Sequence, residues 1–232
     1  MGVASPAGAA RGIGAPADLE RTDVHPTVDA LLFDLGRVII DINMSRMLAR
    51  WAELAGIPVD HVARRGANIT GSEACRRHER GELTDAAFFA HLRRELAIEL
   101  TDEQFIDGWN AIFVGEMPGI RQVLSRAQTR LPLFAFSNTN AAHQACFSVR
   151  FADLLAAFQK IYVSHEIGAR KPEAAAFRAV VADMGRAPQR ILFFDDIAEN
   201  VAGARACGIH AVQVRTAGDV ERALEEMVWR RG

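Results

Sequence analysis

Hydrophobic residues along this chain gather into short unbroken runs, and most of those runs stop at a polar group. The first is Asp29-Ala-Leu-Leu-Phe-Asp34, followed closely by Gly36. Leu133-Phe-Ala-Phe136, Ile161-Tyr-Val163, Ile191-Leu-Phe-Phe194 and His210-Ala-Val-Gln-Val214 have the same look. Apolar runs of this length without polar alternation are the mark of strands buried on both faces. Between them, helical spacing covers roughly 119–130, 172–185 and 197–207, the last ending at Gly208, a residue suited to a helix C-terminus. Strands alternating with helices predict an α/β domain with a parallel sheet covered on both faces.

The stretch from about Ser45 to Met117 breaks this rhythm, with helical periodicity and no convincing strand. Phe88, Leu92 and Leu96 recur on one helical face, and Thr84 stands where that helix needs an N-cap. Thr101 followed by Gln104 has the spacing of a capping box. Trp109 and Phe113, one helical turn apart, read as core of this region. The pattern predicts a helical insert at 45–117 within a core domain formed by 28–44 and 118–232. An insert there lies over the C-terminal ends of the strands, where open α/β sheets bind ligands. Residues 1–27, rich in Ala, Gly and Pro and without periodicity, predict a disordered tail.

Composition narrows the partners. The formal net charge of -2 gives no basic excess, so nucleic acid is a poor partner. No apolar run approaches a membrane span, and the N-terminus lacks the apolar segment of a signal peptide. Three scattered cysteines, Cys75, Cys146 and Cys207, fit a reducing compartment and argue against zinc. A cytoplasmic protein acting on a small molecule is the expectation. Oligomeric state is not legible.

The polar groups at the strand ends form a coherent set. Asp34 ends the first strand, Ser137-Asn138-Thr139-Asn140 the second, Asp195-Asp196 the fourth, and Arg170-Lys171-Pro172 follows the third. In a parallel sheet these ends lie along one edge and can converge on one crevice. Asp34, Asp195 and Asp196 together would repel unless a cation sat among them. Oxygen ligands of this kind favour Mg²⁺ with a phosphate-bearing substrate. Asp34 could then attack phosphorus and form an aspartyl phosphate. Ser137 and Asn138 offer donors to phosphoryl oxygens, and Lys171 a positive charge. Pro172 suits the first turn of the next helix, which would fix Lys171 at its entrance. Taken singly, each piece has a plainer reading: a turn carboxylate, a loop, a solvated basic face or a helix cap.

The order of these segments resembles the haloacid dehalogenase-like hydrolases. Phe33-Asp-Leu-Gly-Arg-Val38, Phe136-Ser-Asn-Thr139, Arg170-Lys-Pro-Glu173 and Phe193-Phe-Asp-Asp-Ile-Ala-Glu-Asn200 look like that family's four motifs. Together with His78-Glu-Arg-Gly-Glu-Leu-Thr84 and Gly108-Trp109, they are most similar to the bacterial α-D-glucose 1-phosphate phosphatase branch. The resemblance implies a Rossmann-like, doubly wound sheet with a helical cap inserted after the first strand. It implies Asp34 as nucleophile, and Mg²⁺ held by Asp34, the Gly36 carbonyl and Asp196, with Asp195 and Asn200 in or near that shell. The substrate implied is a small phosphate ester, such as a hexose 1-phosphate. His78 and Glu79 either face that substrate from the cap or sit on a helix end.

One departure matters: most phosphatases of the family carry a second Asp two residues after the nucleophile, and here that position is Gly36. The leaving oxygen must then depart less assisted, or take its proton from water or from a cap group such as His78. Two rivals follow. A 2-haloacid dehalogenase also lacks the second Asp but uses no metal, against the Asp195-Asp196 pair. A binding or regulatory protein could keep the fold without catalysis, yet Asp34, Lys171 and the acidic pair are all retained.

Overall fold

The structure, a computed structural model, describes residues 1–2 and 28–229. The expected tail, apart from Met1 and Gly2, lies outside the described residues. In chain order the elements are β1 Ala30–Phe33, β2 Ile40–Ile42, α1 Met44–Ala55, α2 Val59–Gly66, α3 Glu73–Glu79, α4 Asp85–Leu96, α5 Asp102–Asn110 and β3 Phe113–Glu116. They continue with α6 Ile120–Gln128, β4 Leu133–Ser137, α7 Ala141–Arg150, α8 Ala152–Leu155, β5 Lys160–Val163, α9 Ser164–Ile167, α10 Ala174–Met184, β6 Ile191–Asp195, α11 Ala198–Ala206, β7 His210–Gln213 and α12 Ala217–Leu224.

The sheet is parallel, in the order β5-β4-β1-β6-β7. Consecutive parallel strands need long crossovers, and helices supply them on both faces. Alternation along the strands divides the core. Leu31, Phe33, Ala135, Leu192 and Phe194 face one layer. Ala30, Leu32, Phe134, Phe136 and Phe193 face the other, with Phe177 and Val180 of α10. The first layer runs on without interruption into the helical insert through Trp51, Phe88, Phe105 and Trp109.

Inside the cap the expected caps are made. Thr84 accepts from the Ala87 N–H, and Thr101 and Gln104 form the reciprocal box. Phe88, Leu92 and Leu96 are fully buried. Gly108 lets α5 lie close on α1, since a Cβ there would stand 2.1 Å from Trp51 Cδ1. Three expectations need correction. The insert does contain a strand: β3 pairs antiparallel with β2, matching Asp41 with Gly115. Phe113 therefore sits on that strand and not one helical turn beyond Trp109. Pro172 does not open the following helix, because Glu173 is its N-cap and α10 begins at Ala174. Gly208, at φ 82, lies one residue past the Cys207 C-cap of α11.

Candidate active site

Register decides which side chains meet. Phe33 pairs with Ala135 on one side and with Phe194 on the other. Asp34 therefore emerges beside Asp195, and its N–H donates to the Phe194 carbonyl at 2.8 Å. The chain then turns sharply. Gly36 bridges to Ile40, and Arg37 adopts φ 60, a left-handed conformation costly for a residue with a Cβ. Arg37 Nε approaches Asp196 at 3.5 Å.

Lys171 is the hub of the site. The residue is 1% exposed, and its Nζ donates to Asp34 Oδ1 at 2.6 Å, to Asp195 Oδ2 at 2.8 Å and to the Phe136 carbonyl at 2.8 Å. An ammonium has three donors, and all three are used. The backbone of Lys171 is clamped as well. Its N–H donates to Asn138 Oδ1, and its carbonyl accepts from Asn138 Nδ2, both at 2.9 Å. Asn138, expected to donate to phosphate, thus spends its carbonyl and one N–H on placing Lys171. Asp195 is also saturated. Beyond Lys171 it accepts from the Ile197 N–H at 2.8 Å and from Asn200 Nδ2 at 3.0 and 3.1 Å.

Charge crowding is severe. Oxygens of Asp34, Asp195 and Asp196 lie within 4.8 Å of one another. Burial pushes the Asp34 carboxyl up to about 7, with Asp195 and Asp196 adding to the rise and Lys171 opposing it. Burial and the charge of Asp195 likewise raise Asp196, against Arg37 and Lys171. Burial alone would lower Lys171, but Asp195 and Asp34 hold it above the ordinary lysine range. Hard oxygen donors this close together suit Mg²⁺, which would relieve their repulsion.

A cavity of about 760 Å³ opens over this cluster. Asp34, Gly36, Ser137, Asn138, Lys171, Asp196, Asn200 and Glu79 all line it. His78 does not. Its ring is buried in the cap, stacked on Phe88 at 4.2 Å, with Nε2 at 2.7 Å from Asp85. The expectation that His78 faces the substrate is therefore corrected. On α3, one residue turns inward to the cap core and the next, Glu79, turns to the cavity. Glu79 accepts from Arg170 Nε at 2.6 Å.

Several lining residues carry no signal that periodicity could find. Thr70, Asn43 and His143 are such residues, and Trp109, read from the sequence as core, also faces the cavity. Arg170 stood beside Lys171 in a segment already singled out, and its charge was the only available hint.

The chain belongs to the haloacid dehalogenase-like hydrolase family, whose model matches residues 28–208. It is 28% identical to a phosphatase of Mycobacterium tuberculosis over 83% of this chain and 89% of that protein. It is 24% identical to a D-ribitol-5-phosphate phosphatase of Bacteroides thetaiotaomicron, over 84% and 95% of the two lengths. A drimenol cyclase of Aspergillus calidoustus is 28% identical over 85% of this chain, which spans only 36% of that longer protein. Among solved structures, an alanine variant of a HAD family enzyme from Bacteroides thetaiotaomicron, in complex with magnesium and inorganic phosphate, aligns at TM-score 0.67 and 25% identity. It covers 80% of this chain and 93% of its own.

Proposed function

We propose that this protein is a magnesium-dependent phosphatase that moves the phosphoryl group of a small phosphorylated metabolite onto Asp34. A sugar phosphate such as a hexose 1-phosphate is the expected substrate. The observation that carries this reading is Lys171 Nζ, bridging Asp34 and Asp195 beneath a cavity that Ser137 and Asn138 also line. A buried carboxylate held this way is aimed and ready to attack.

Asp34, Asp196 and the Gly36 carbonyl would hold Mg²⁺, whose charge would steady Asp34 and the phosphoryl oxygens. Relatives named as phosphatases, and a structural neighbour complexed with magnesium and phosphate, support the same reading. Asp195 and Asn200 act behind Asp34, fixing the hub lysine. Lys171 offsets charge on the transferring group. With Gly36 in place of an acid, and His78 out of reach, the departing oxygen leaves with less help, so acidic leaving groups should react faster. The free cysteines support a reducing cytoplasm as its location, and 45–117 serves as the cap over a core of 28–44 and 118–232.

The test is turnover of p-nitrophenyl phosphate and hexose 1-phosphate with and without Mg²⁺, for the wild type and Asp34→Asn. The variant should fold and lose at least about 10³-fold in kcat, since an amide of the same size cannot attack phosphorus. Wild-type turnover by Asp34→Asn, or full activity after exhaustive chelation, would overturn the proposal.

A further inference from the structure

We infer that Arg170 and Glu79 form the subsite that reads the leaving group, and that it selects leaving groups carrying neighbouring hydroxyls over anionic or plain alkyl ones. This rests on the phosphatase reading and narrows it.

The geometry of the pair carries the inference. Arg170 Nε donates to Glu79 Oε2 at 2.6 Å, with side chains 20% and 18% exposed. Among the described residues, the terminal guanidinium nitrogens of Arg170 and Oε1 of Glu79 have no protein hydrogen-bond partner, yet both residues line the cavity that holds Asp34. Side by side, the pair presents N–H donors and a carboxylate acceptor. A hydroxyl can accept from one and donate to the other, and two adjacent hydroxyls satisfy both at once.

The charges decide against other leaving groups. Arg170 would attract an anionic substituent and Glu79 would repel it, so the pair gains little from a second acid group. An alkyl chain would cover the polar atoms and leave them unpaired, which is costly in a half-buried site. Burial already pushes the Glu79 carboxyl above the ordinary range against the pull of Arg170, so a hydroxyl donating to Oε1 is welcome. The distance from nucleophile to subsite is also fixed. Arg170 is the chain neighbour of Lys171, and its own N–H is tied to Glu173 Oε2 at 3.3 Å.

The experiment compares kcat/KM for a pentitol 5-phosphate, pentyl phosphate and a carboxylate-bearing phosphate monoester, all with Mg²⁺, with p-nitrophenyl phosphate as control. The wild type should favour the pentitol ester over the pentyl ester by about 10²-fold or more. The exchange Glu79→Arg with Arg170→Glu keeps an ion pair but relocates donors and acceptor. It should cut that preference at least about 10-fold, mainly through KM. Recovery of the full preference in the exchanged protein would mean that the pair only bridges cap and core, and would overturn the inference. Glu79→Gln removes the repulsion and, with its remaining oxygen held by Arg170, turns the cavity-facing acceptor into a donor, so it should raise the carboxylate-bearing ester relative to the pentitol ester by about 10-fold; an unchanged ratio is equally fatal. If the wild type fails on p-nitrophenyl phosphate, the phosphatase reading falls instead. The subsite is then judged by calorimetric affinities of Asp34→Asn, where equal binding of pentitol and pentyl esters overturns it.

Discussion

The helical insert and the sheet with its flanking helices meet along two seams of opposite character. One is neutral and buried. Trp109 of α5 stacks on His143 of α7 with centroids 4.7 Å apart and planes at 8°. Its Nε1 donates to Asn140 Oδ1 at 3.2 Å, and its carbonyl lies 3.1 Å from His143 Nε2. The other seam is ionic. Glu79 and Arg80, at the end of α3, pair with Arg170 and Glu173 of the core. There the chain also passes so close that a Cβ on Gly81 would stand 2.3 Å from the His165 carbonyl oxygen. The neutral seam lies next in sequence to β3, where the chain crosses back to the core and the Met117 N–H donates to the Ile39 carbonyl. The ionic seam is far from that crossing. The contrast predicts that the neutral seam acts as the pivot and the ionic seam as the mouth of the cavity, which the following measurements test.

Trp109→Ala should have the largest effect. The indole is 2% exposed, touches Trp51, Phe88 and His143, and anchors Asn140. Loss of about 3–5 kcal/mol in denaturant unfolding is expected. Trp109→Phe keeps the stack and loses the Nε1 donor, and should cost about 1 kcal/mol. Equal, small losses for both would show that the neutral seam does not hold the cap.

The second effect is a pH dependence. Asn140 Oδ1 accepts from Trp109 Nε1 and from the His143 N–H, which fixes the orientation of its amide. Asn140 Nδ2 must then face His143 Nδ1 as a donor, so Nδ1 accepts and Nε2 carries the proton toward the Trp109 carbonyl. His143 is therefore neutral, and burial pushes it down to about 4 against the bond to Trp109, with His78 also lowering it and Asp85 raising it. The unfolded chain takes up this proton first, near pH 6.5. Stability linked to His143 is complete above that value and is lost as pH falls toward 4, roughly 3 kcal/mol in all. His143→Gln keeps one donor and one acceptor but never titrates. Its unfolding free energy should fall less between pH 6.5 and 4 than that of the wild type; parallel curves would refute the neutral tautomer.

The two seams also differ in how far the sequence discloses them. The floor was readable because Asp34, Asp195 and Asp196 end apolar runs, where a charge is expensive and stands out, and Lys171 follows the strand between them in chain order. Glu79 was legible only through its family resemblance, and His78 beside it was misplaced. On a seven-residue helix such as α3, neighbouring side chains are turned about 100° apart, and nothing local says which direction holds the cavity. The β2–β3 pairing escaped notice because strands of three and four residues, some seventy positions apart, leave no periodic trace. The helix α7 was missed for a related reason. Its inward positions are Ala142, His143 and Phe147, and a histidine interrupts the stripe that would have revealed it.

The smallest effect belongs to Arg80, and it separates the seams most sharply. Its Nε and Nη2 donate to Glu173 Oε1 at 2.9 and 2.6 Å, with side chains 22% and 33% exposed. A pair this accessible is worth about 1 kcal/mol or less and weakens as salt screens it. If the ionic seam is the mouth, that energy governs local opening and not global unfolding. Arg80→Ala should therefore leave the denaturant midpoint nearly unchanged. It should speed amide exchange at the end of α3, around Gly81, by about 5-fold, corresponding to 1 kcal/mol of local stability. Raising the ionic strength of the wild type to about 1 M, where the Debye length shrinks to roughly 3 Å, should produce most of the same acceleration. Amides of α5 around Trp109 should respond much less to either change, because the buried indole, and not the exposed pair of Asp107 with Arg50, ties them to the core. Faster exchange there in step with α3 would mean that the cap detaches as one unit, and the division between pivot and mouth would fail.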